Sequence, residues 1–203
     1  MALGCNHQLP RTNVRLECLL MLAERAVERI PSLALSPGKI VGLEGPAGWG
    51  LTRLGLSLLA APSQVGTVVT IDARGGWLSP LAAWEVGVKP GRLVVVRCAD
   101  RRLWGQVTAA ILEGVAAVYA EVPAGVGEHE LRRLAALTRA RKVGLALRPL
   151  RGQLPAGITH LRINGRGVSW EGADQGHGRL LERRLALEVS GKSLPWQAFD
   201  LGA

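Results

Sequence analysis

Short apolar runs alternate with amphipathic stretches through most of the chain, from about residue 39 to residue 149. Runs such as VVTI, LVVV and GLAL are nearly continuous in apolar residues, as expected for parallel strands covered on both faces. The stretches between them repeat apolar residues every three or four positions, which is typical of amphipathic helices. The pattern predicts strands at residues 39–44, 67–72, 92–97, 116–122 and 143–149, and helices at residues 51–61, 80–86, 103–113 and 128–140. We therefore expect an α/β fold with a mostly parallel central sheet covered by helices.

The pattern changes after Pro155, where polar and apolar residues alternate more strictly. Turn signals such as Asn164-Gly165 and Gly191-Lys192 separate the alternating segments. These segments, at residues 159–164, 167–171, 184–190 and 196–201, predict antiparallel strands added at one edge of the sheet. Residues 174–178 are expected to form a flexible loop.

At the other end of the chain, residues 13–30 show helical periodicity that ends at Pro31. We therefore divide the chain into an N-terminal helical segment (1–37), a core (38–158) and C-terminal β additions (159–203) that belong to the same domain. A length of 203 residues with 48% hydrophobic residues suits one globular domain with a sizeable core.

The formal net charge of +9 makes nucleic acid or an acidic protein surface a plausible class of partner. Only four of the 25 basic residues are lysines, however, and arginine excess with abundant alanine and glycine is also typical of GC-rich genomes. The charge alone therefore leaves both interpretations open.

Three cysteines and four histidines are scattered without the spacing of a zinc site or a disulfide framework. The N-terminus lacks the pattern of a signal peptide, and no apolar run reaches the roughly 18 residues that a membrane span needs. We therefore expect a cytoplasmic protein with reduced thiols and no membrane partner.

The segment GPAGWGLT, which follows the first predicted strand, fits the frame of a phosphate-binding loop, GxxxxGK[ST]. Gly45, Gly50 and Thr52 occupy the framing positions, but Leu51 stands where the lysine should reach the phosphates. Leucine cannot neutralise phosphate charge. The segment is thus either a tight strand-to-helix turn or a loop with residual nucleotide binding, and Trp49 could fill the vacated space.

Several spaced segments in one order resemble the RecA-type ATPase core, over about residues 38–148. They are the opening GKIV…EGP, then IDAR at residues 71–74, SP…W at residues 79–84, GV at residues 87–88 and the strand LVVV. The resemblance implies a RecA-like P-loop core in which the first strand leads directly into the glycine-rich loop.

The departures from the RecA pattern all concern nucleotide chemistry. Arg74 stands in place of the acidic residue that activates water, and Glu121 in place of the aspartate linked to magnesium. Ser79 and Ala82 stand in place of the aspartate and tyrosine that hold adenine. Phosphoryl transfer needs these parts together. We therefore expect a pseudo-ATPase without a catalytic residue, cofactor or metal.

Residues 102–114 (RLWGQVTAAILEG) and 117–123 (AVYAEVP) resemble the inducible-mutagenesis family ImuA, its short form ImuA-prime and the related cell-division inhibitor SulA. The ImuA resemblance implies a role in damage-induced translesion synthesis. The implied partners are an ImuB-type Y-family polymerase homologue and an error-prone C-family polymerase of the same assembly, near the nucleoid. The loops that contact DNA in RecA are short here, which argues against a RecA-like filament.

The C-terminal region and one helix offer candidate contact residues. They are Arg132 and Arg133 in the helix at 128–140, and Arg179, Arg183, Arg184, Trp196 and Phe199 near the end of the chain. Such residues either form a solvated surface or bind a protein partner or DNA, the latter weakly and without sequence preference. Trp84 and Trp104 are expected in the core, and Trp170 is a candidate interface residue.

The sequence thus favours a non-catalytic RecA-like adaptor. Two alternatives remain open. One is a P-loop ATPase, active or with a nucleotide-switch role, in which a neighbour supplies the missing arginine or lysine. The other is a SulA-like inhibitor of cell division.

Overall fold

An eight-stranded sheet organises the protein in a computed structural model, which describes residues 35–172 and 181–191 and the backbone of residues 194–202. The strand order is β3-β2-β4-β5-β1-β6-β7-β8. The strands are β1 (Ile40–Glu44), β2 (Val68–Asp72), β3 (Leu93–Arg97), β4 (Ala117–Val122), β5 (Gly144–Pro149), β6 (Leu161–Glu171), β7 (Glu182–Gly191) and β8 (Leu194–Gly202). The helices are α1 (Leu51–Ser57), α2 (Ala60–Val65), α3 (Pro80–Trp84), α4 (Arg101–Ile111) and α5 (Glu128–Arg141), with a 3₁₀ turn at Pro90–Arg92.

The first six strands in the sheet order pair in parallel, whereas β7 and β8 pair antiparallel. Every residue of β1, β2, β4 and β5 is buried, as their continuous apolar sequences require in a sheet covered on both faces. One core cluster contains Leu51, Leu56 and Tyr119, and the other contains Trp104 and Leu134. The predicted α/β class, a mostly parallel sheet with antiparallel C-terminal strands, is confirmed.

The prediction for the region after Pro155 is wrong in one respect, because β6 is a single strand that pairs in parallel with β1. The Asn164-Gly165 pair, expected to form a turn, lies inside this strand, and the register with β7 shifts between Gly165 and Gly167. The first half of β6 continues the parallel sheet beyond β1, so pairing on both sides holds the chain extended where the dipeptide alone favours a turn.

The single helix predicted at residues 51–61 is instead divided into α1 and α2. Pro62 explains the break, because its ring nitrogen has no hydrogen to donate to the carbonyl of Leu58. Proline is tolerated in the first turn of a helix, where backbone N–H groups lack partners, and Pro62 occupies that part of α2.

The two tryptophans expected in the core differ in burial. Trp104 of α4 is fully buried, which confirms its predicted role in packing. Trp84 is 43% exposed, so its predicted place in the core is wrong. The short helix α3 turns Ala83 into the core and leaves Trp84, its last residue, at the surface.

Candidate functional site

The loop at residues 45–50 joins β1 to α1 through glycines with positive φ angles. Gly48 and Gly50 have φ of 85° and 75°, and Gly50 lies at the N-cap of α1. Leu51, the first residue of the helix, is fully buried. A Cβ atom at Gly45 would lie 2.8 Å from Leu51 Cδ1, so the leucine side chain packs directly beneath the loop. The position of the missing lysine is therefore part of the apolar core.

Side chains from the C-terminal strands and the loop itself close over this turn. Trp49 packs on β6, where a Cβ at Gly165 would lie 3.0 Å from its ring. Arg183 of β7 lies against Gly50, whose added Cβ would meet Arg183 Nη2 at 1.6 Å. The same guanidinium stacks 5.5 Å from the ring centroid of Trp170. Burial lowers the pKa of Arg183, and the charge of Arg53 lowers it further.

Asp72, the last residue of β2, organises the turn that follows it. Its fully buried carboxylate accepts hydrogen bonds from the backbone N–H groups of Arg74 (2.8 Å), Gly76 (2.7 Å) and Leu78 (3.1 Å). Burial by itself would raise the pKa of Asp72, but the three amide hydrogen bonds outweigh it and hold the pKa below its usual value. The turn therefore presents the Arg74 side chain in a fixed direction.

Arg74 forms a two-point ion pair with Glu121 at the end of β4. Arg74 Nε donates to Glu121 Oε2 at 3.0 Å, and Nη2 donates to Oε1. The Glu121 carboxylate is fully buried, whereas about a third of the Arg74 side chain is exposed. The hydrogen bond to Glu121 raises the pKa of Arg74 above its already high value. The ring of Trp77 lies 5.7 Å from the Arg74 guanidinium, on which it stacks.

Arg148 lies directly opposite Glu121 in the pairing of β4 with β5. Its Nη1 atom is 3.8 Å from Glu121 Oε1, which is too far for a hydrogen bond. One buried carboxylate thus faces two guanidinium groups, and Arg74 holds both of its oxygens.

Glu44, at the end of β1, has a structural role. Its Oε1 accepts a hydrogen bond from the Leu154 N–H at 2.9 Å and lies 3.3 Å from Arg162 Nη1. Arg162 also donates to the carbonyl oxygen of Leu154 at 2.9 Å. Glu44 and Arg162 therefore fasten the connection between β5 and β6 to the end of β1.

These strand ends surround a pocket of about 880 Å³ at the carboxyl edge of the sheet. Its walls come from the ends of β1, β2, β4 and β5 and from the middle of β6. The charged residues that line it are Glu44, Arg74, Arg148, Arg151 and Arg166. In open α/β sheets this edge is where ligands usually bind.

The structure brings only some of the predicted site residues together. Gly45 and Arg74 line the pocket, and Glu121 pairs with Arg74 just behind it. Ser79 and Ala82 do not line the pocket; Ser79 is exposed, and Ala82 packs against the core. Thr52 is half-buried in α1.

The predicted contact residues lie elsewhere. Arg132 and Arg133 are exposed on α5, where Arg132 pairs with Glu128. Arg184 pairs with Glu171 and Glu182. Arg179 and the side chains of Trp196 and Phe199 lie outside the described residues, as do the predicted N-terminal helix and the loop at 174–178.

Sequence reasoning missed Asp72, Arg148 and Glu44 as parts of this site. The available signal was a charged residue at the end of an otherwise apolar strand, since the carboxyl ends of parallel strands converge on one edge.

In the part of the chain that the structure describes, no group of three or more His, Cys, Asp or Glu side chains could hold a metal ion. Within the same residues, no helix is both long and apolar enough to cross a membrane.

Comparison with known families gives one match: the family described as the MT3502 N-terminal domain covers residues 28–152, more than half of the chain. No curated protein matches the chain in sequence. The matched region includes the loop at 45–50, the Arg74–Glu121 pair and Arg148, and it ends before β6.

Proposed function

The chain belongs to the MT3502 N-terminal domain family, and we propose that it is a non-catalytic, RecA-like adaptor in damage-induced translesion DNA synthesis. In this role it binds an ImuB-type Y-family polymerase homologue, in an assembly with an error-prone C-family polymerase. It works in the cytoplasm, at the nucleoid when the assembly forms, and contacts DNA weakly and without sequence preference.

The Arg74–Glu121 ion pair is the observation that carries the non-catalytic part of this proposal. In the RecA pattern these positions supply a carboxylate that activates water and a carboxylate linked to magnesium. Here the first is a cation, and it occupies both oxygens of the second. Binding a metal ion at Glu121 would require this buried ion pair to break, which is costly because Arg74 would lose the carboxylate that accepts two of its hydrogen bonds.

The buried Leu51 supports the same conclusion from the other side of the pocket. A lysine at this position would need its ammonium group at the phosphates, but the leucine side chain points into the core beneath Gly45. The loop is retained as a turn that connects β1 to α1, so the fold persists without the charge that hydrolysis needs.

The exposed side chains around β6 and β7 are the best candidates for the partner surface. Trp170 is 48% exposed with Arg183 stacked on it, and Leu181 is 75% exposed. Tryptophan and arginine are enriched among the residues that dominate protein interfaces. The predicted contact residue Arg184 belongs to β7. Trp196 and Phe199 belong to β8, the strand that pairs with β7.

Truncation after Arg179 would not test this surface cleanly, because β7 contributes Leu185, Leu187 and Val189 to the core. A point substitution is the better experiment. The tagged full chain and its Trp170→Ala variant would be recovered from DNA-damaged cells, and the co-purifying proteins identified. We expect both polymerase-type partners with the unmodified chain and a loss of about tenfold or more with Trp170→Ala.

Trp84→Ala is the matched control, because Trp84 is similarly exposed but lies on α3. Recovery of the unmodified chain without either partner would contradict the adaptor role. Equal recovery with both variants would contradict only the placement of the surface.

A nucleotide switch is the second candidate, and the position of Arg183 favours it. The Arg183 guanidinium lies against Gly50, so a cation from β7 stands beside the loop that lacks its lysine. ATP titration and a steady-state hydrolysis assay separate the two candidates. Tight ATP binding that Arg183→Ala abolishes would favour the switch, whereas absence of binding and turnover agrees with the adaptor.

A further inference from the structure

The buried charge of Arg148 has too few partners among the described residues. Only 7% of its side chain is exposed, and its Nε atom has no hydrogen-bond acceptor. Within residues 35–172 and 181–191, the 3.8 Å approach to Glu121 is its only ion pair. An arginine carries five N–H donors, and a buried charge without hydrogen bonds is strongly unfavourable.

Glu121 cannot supply what Arg148 lacks, because Arg74 already occupies both of its oxygens. Two guanidinium groups therefore approach one carboxylate, and only Arg74 is hydrogen-bonded to it, since Arg148 Nη1 lies 3.8 Å from Glu121 Oε1. A buried arginine held in this way is predisposed to bind an anion.

Arg148 lines the pocket at the carboxyl edge of the sheet, where the other charged side chains are mostly paired. Glu44 pairs with Arg162, and Arg166 pairs with Glu188. The exposed Arg151, two residues beyond the end of β5, lines the same pocket and makes no ion pair within the described residues. Among the described residues, Arg148 and Arg151 are thus the two cations of the pocket without a hydrogen-bonded carboxylate.

We propose that this pocket binds a phosphate group, which Arg148 holds from the end of β5 and Arg151 holds from the pocket rim. A phosphate dianion matches the charges of these two arginines, and guanidinium groups bind phosphate oxygens through paired, charge-assisted hydrogen bonds. The volume of about 880 Å³ accommodates a ligand larger than the phosphate itself.

Gly45, Pro46 and Ala47 of the glycine-rich loop line one wall of this pocket, but the charged groups of the proposed site come from β5 and the segment that follows it. The proposed site does not depend on the adaptor role. Two sources share this chemistry, a small phosphate ester and a phosphate of a nucleic-acid strand.

Inorganic phosphate is the first probe, with the full chain titrated by calorimetry in buffers whose ionic strength is matched with chloride. We expect saturable phosphate binding that becomes at least about tenfold weaker in Arg148→Met and several-fold weaker in Arg151→Ala. Arg141→Ala is the matched control, since Arg141 is exposed at the end of α5 and pairs with Glu113; its affinity should equal that of the unmodified chain.

We expect both variants to fold, because Arg148→Met removes a poorly paired buried charge and Arg151 lies at the surface. If Arg148→Met does not fold, Arg151→Glu tests the same pocket by reversing the charge at its rim, and it should abolish phosphate binding. The proposal is overturned if phosphate binds no better than chloride or acetate, or if all the variants bind it as the unmodified chain does.

The two sources are separated by repeating the titration with a nucleoside monophosphate and with a short single-stranded oligonucleotide. Weaker monophosphate binding in Arg148→Met, with unchanged oligonucleotide binding, identifies a small phosphate ester. Equal weakening of oligonucleotide binding identifies a strand phosphate.

Discussion

The end of β1 and the end of β2 both depart from the sequence pattern of a nucleotide site, but by different physical means. After β1 the position where that pattern has a lysine holds an apolar side chain, Leu51, which lies in the core. After β2 the position where it has an acidic residue holds a cation, Arg74, which pairs with the buried Glu121. The apolar replacement adds stability through packing, whereas the ionic one adds little net stability but is costly to break on one side. The two ends should therefore respond differently to substitution and to pH.

The largest expected effect comes from removing the shared carboxylate. Glu121→Gln preserves the shape of the side chain but removes the carboxylate that faces both Arg74 and the buried Arg148, so we expect a loss of about 3–5 kcal/mol in the free energy of unfolding. Urea denaturation measures this change. Combining it with Arg148→Met should restore part of the stability, because the more deeply buried of the two guanidinium groups is then gone.

Glu128→Gln, at an exposed ion pair of α5, is the control for Glu121→Gln and should change stability by no more than about 0.5 kcal/mol. A similar small effect for Glu121→Gln would show that the ion pair is not structurally important.

The apolar end is tested by Leu51→Ala. We expect a loss of about 3 kcal/mol, from lost burial and the cavity left beneath Gly45. Leu81→Ala is the comparison, since Leu81 is 57% exposed and its truncation should change the unfolding free energy by about 0.5 kcal/mol or less. Equal losses in the two variants would contradict a core role for Leu51.

Asp72 gives the ionic end a pH dependence that the apolar end lacks. Because its pKa in the folded protein lies below the ordinary value of 3.8, its contribution is complete above that pH and is lost as the pH falls through the folded pKa. Asp72→Asn should cost about 1–3 kcal/mol at pH 7, since its amide group cannot accept all three backbone hydrogen bonds.

The check for Asp72 is a series of denaturation curves from pH 7 down to about pH 2. The Asn variant should lose less stability than the unmodified chain over the acid range. Asp100→Asn, at the exposed N-cap of α4, keeps a good capping residue and should change little. If the free energy of unfolding fell equally with pH in the unmodified chain and in Asp72→Asn, Asp72 would not be the source of the acid sensitivity.

The smallest expected effect concerns the Arg183 side chain, which packs against the loop at Gly50. Gly48→Ala and Gly50→Ala both force alanine into a positive φ, at about 1–2 kcal/mol each. Only Gly50→Ala also displaces Arg183, since no atom of the described residues lies within 4 Å of a Cβ at Gly48. The midpoint of thermal unfolding should therefore be lower for Gly50→Ala than for Gly48→Ala. In chains that also carry Arg183→Ala, the two midpoints should be equal. Equal midpoints in the chain that retains Arg183 would show that Arg183 does not press on the loop.

The parallel strands were predicted well because strands buried on both faces are nearly continuous runs of apolar residues, which stand out from the helices and turns around them. The predicted strand at 116–122, for example, differs from β4 by one residue at its start. The prediction of a turn at Asn164 was wrong because pairing with β1 and β7 overrode a strong local turn signal. The prediction of a core position for Trp84 was wrong because the periodicity of so short a helix does not fix which side faces the core.

The candidate site was predictable as a set of positions but not as a set of contacts. Leu51, Arg74 and Glu121 stood out because each departs from a recognisable pattern. Their interactions join distant parts of the chain, such as Arg74 and Glu121, which lie 47 residues apart. Arg148 departs from no such pattern, and its place at the end of an apolar strand indicates only the edge of the sheet where it lies. That it faces Glu121 follows from the pairing of β4 with β5.

The central place of β1 has a consequence for how the protein is made. Ile40 of β1 pairs with Leu145 of β5, and Val41 pairs with Leu161 of β6. Roughly 100 residues must therefore leave the ribosome before β1 gains its first neighbour, which takes roughly 5–20 s at ordinary rates of synthesis. During this interval an apolar strand and its glycine-rich loop are without their final sheet partners. Newly made chains should depend on chaperones more than the stability of the finished fold suggests.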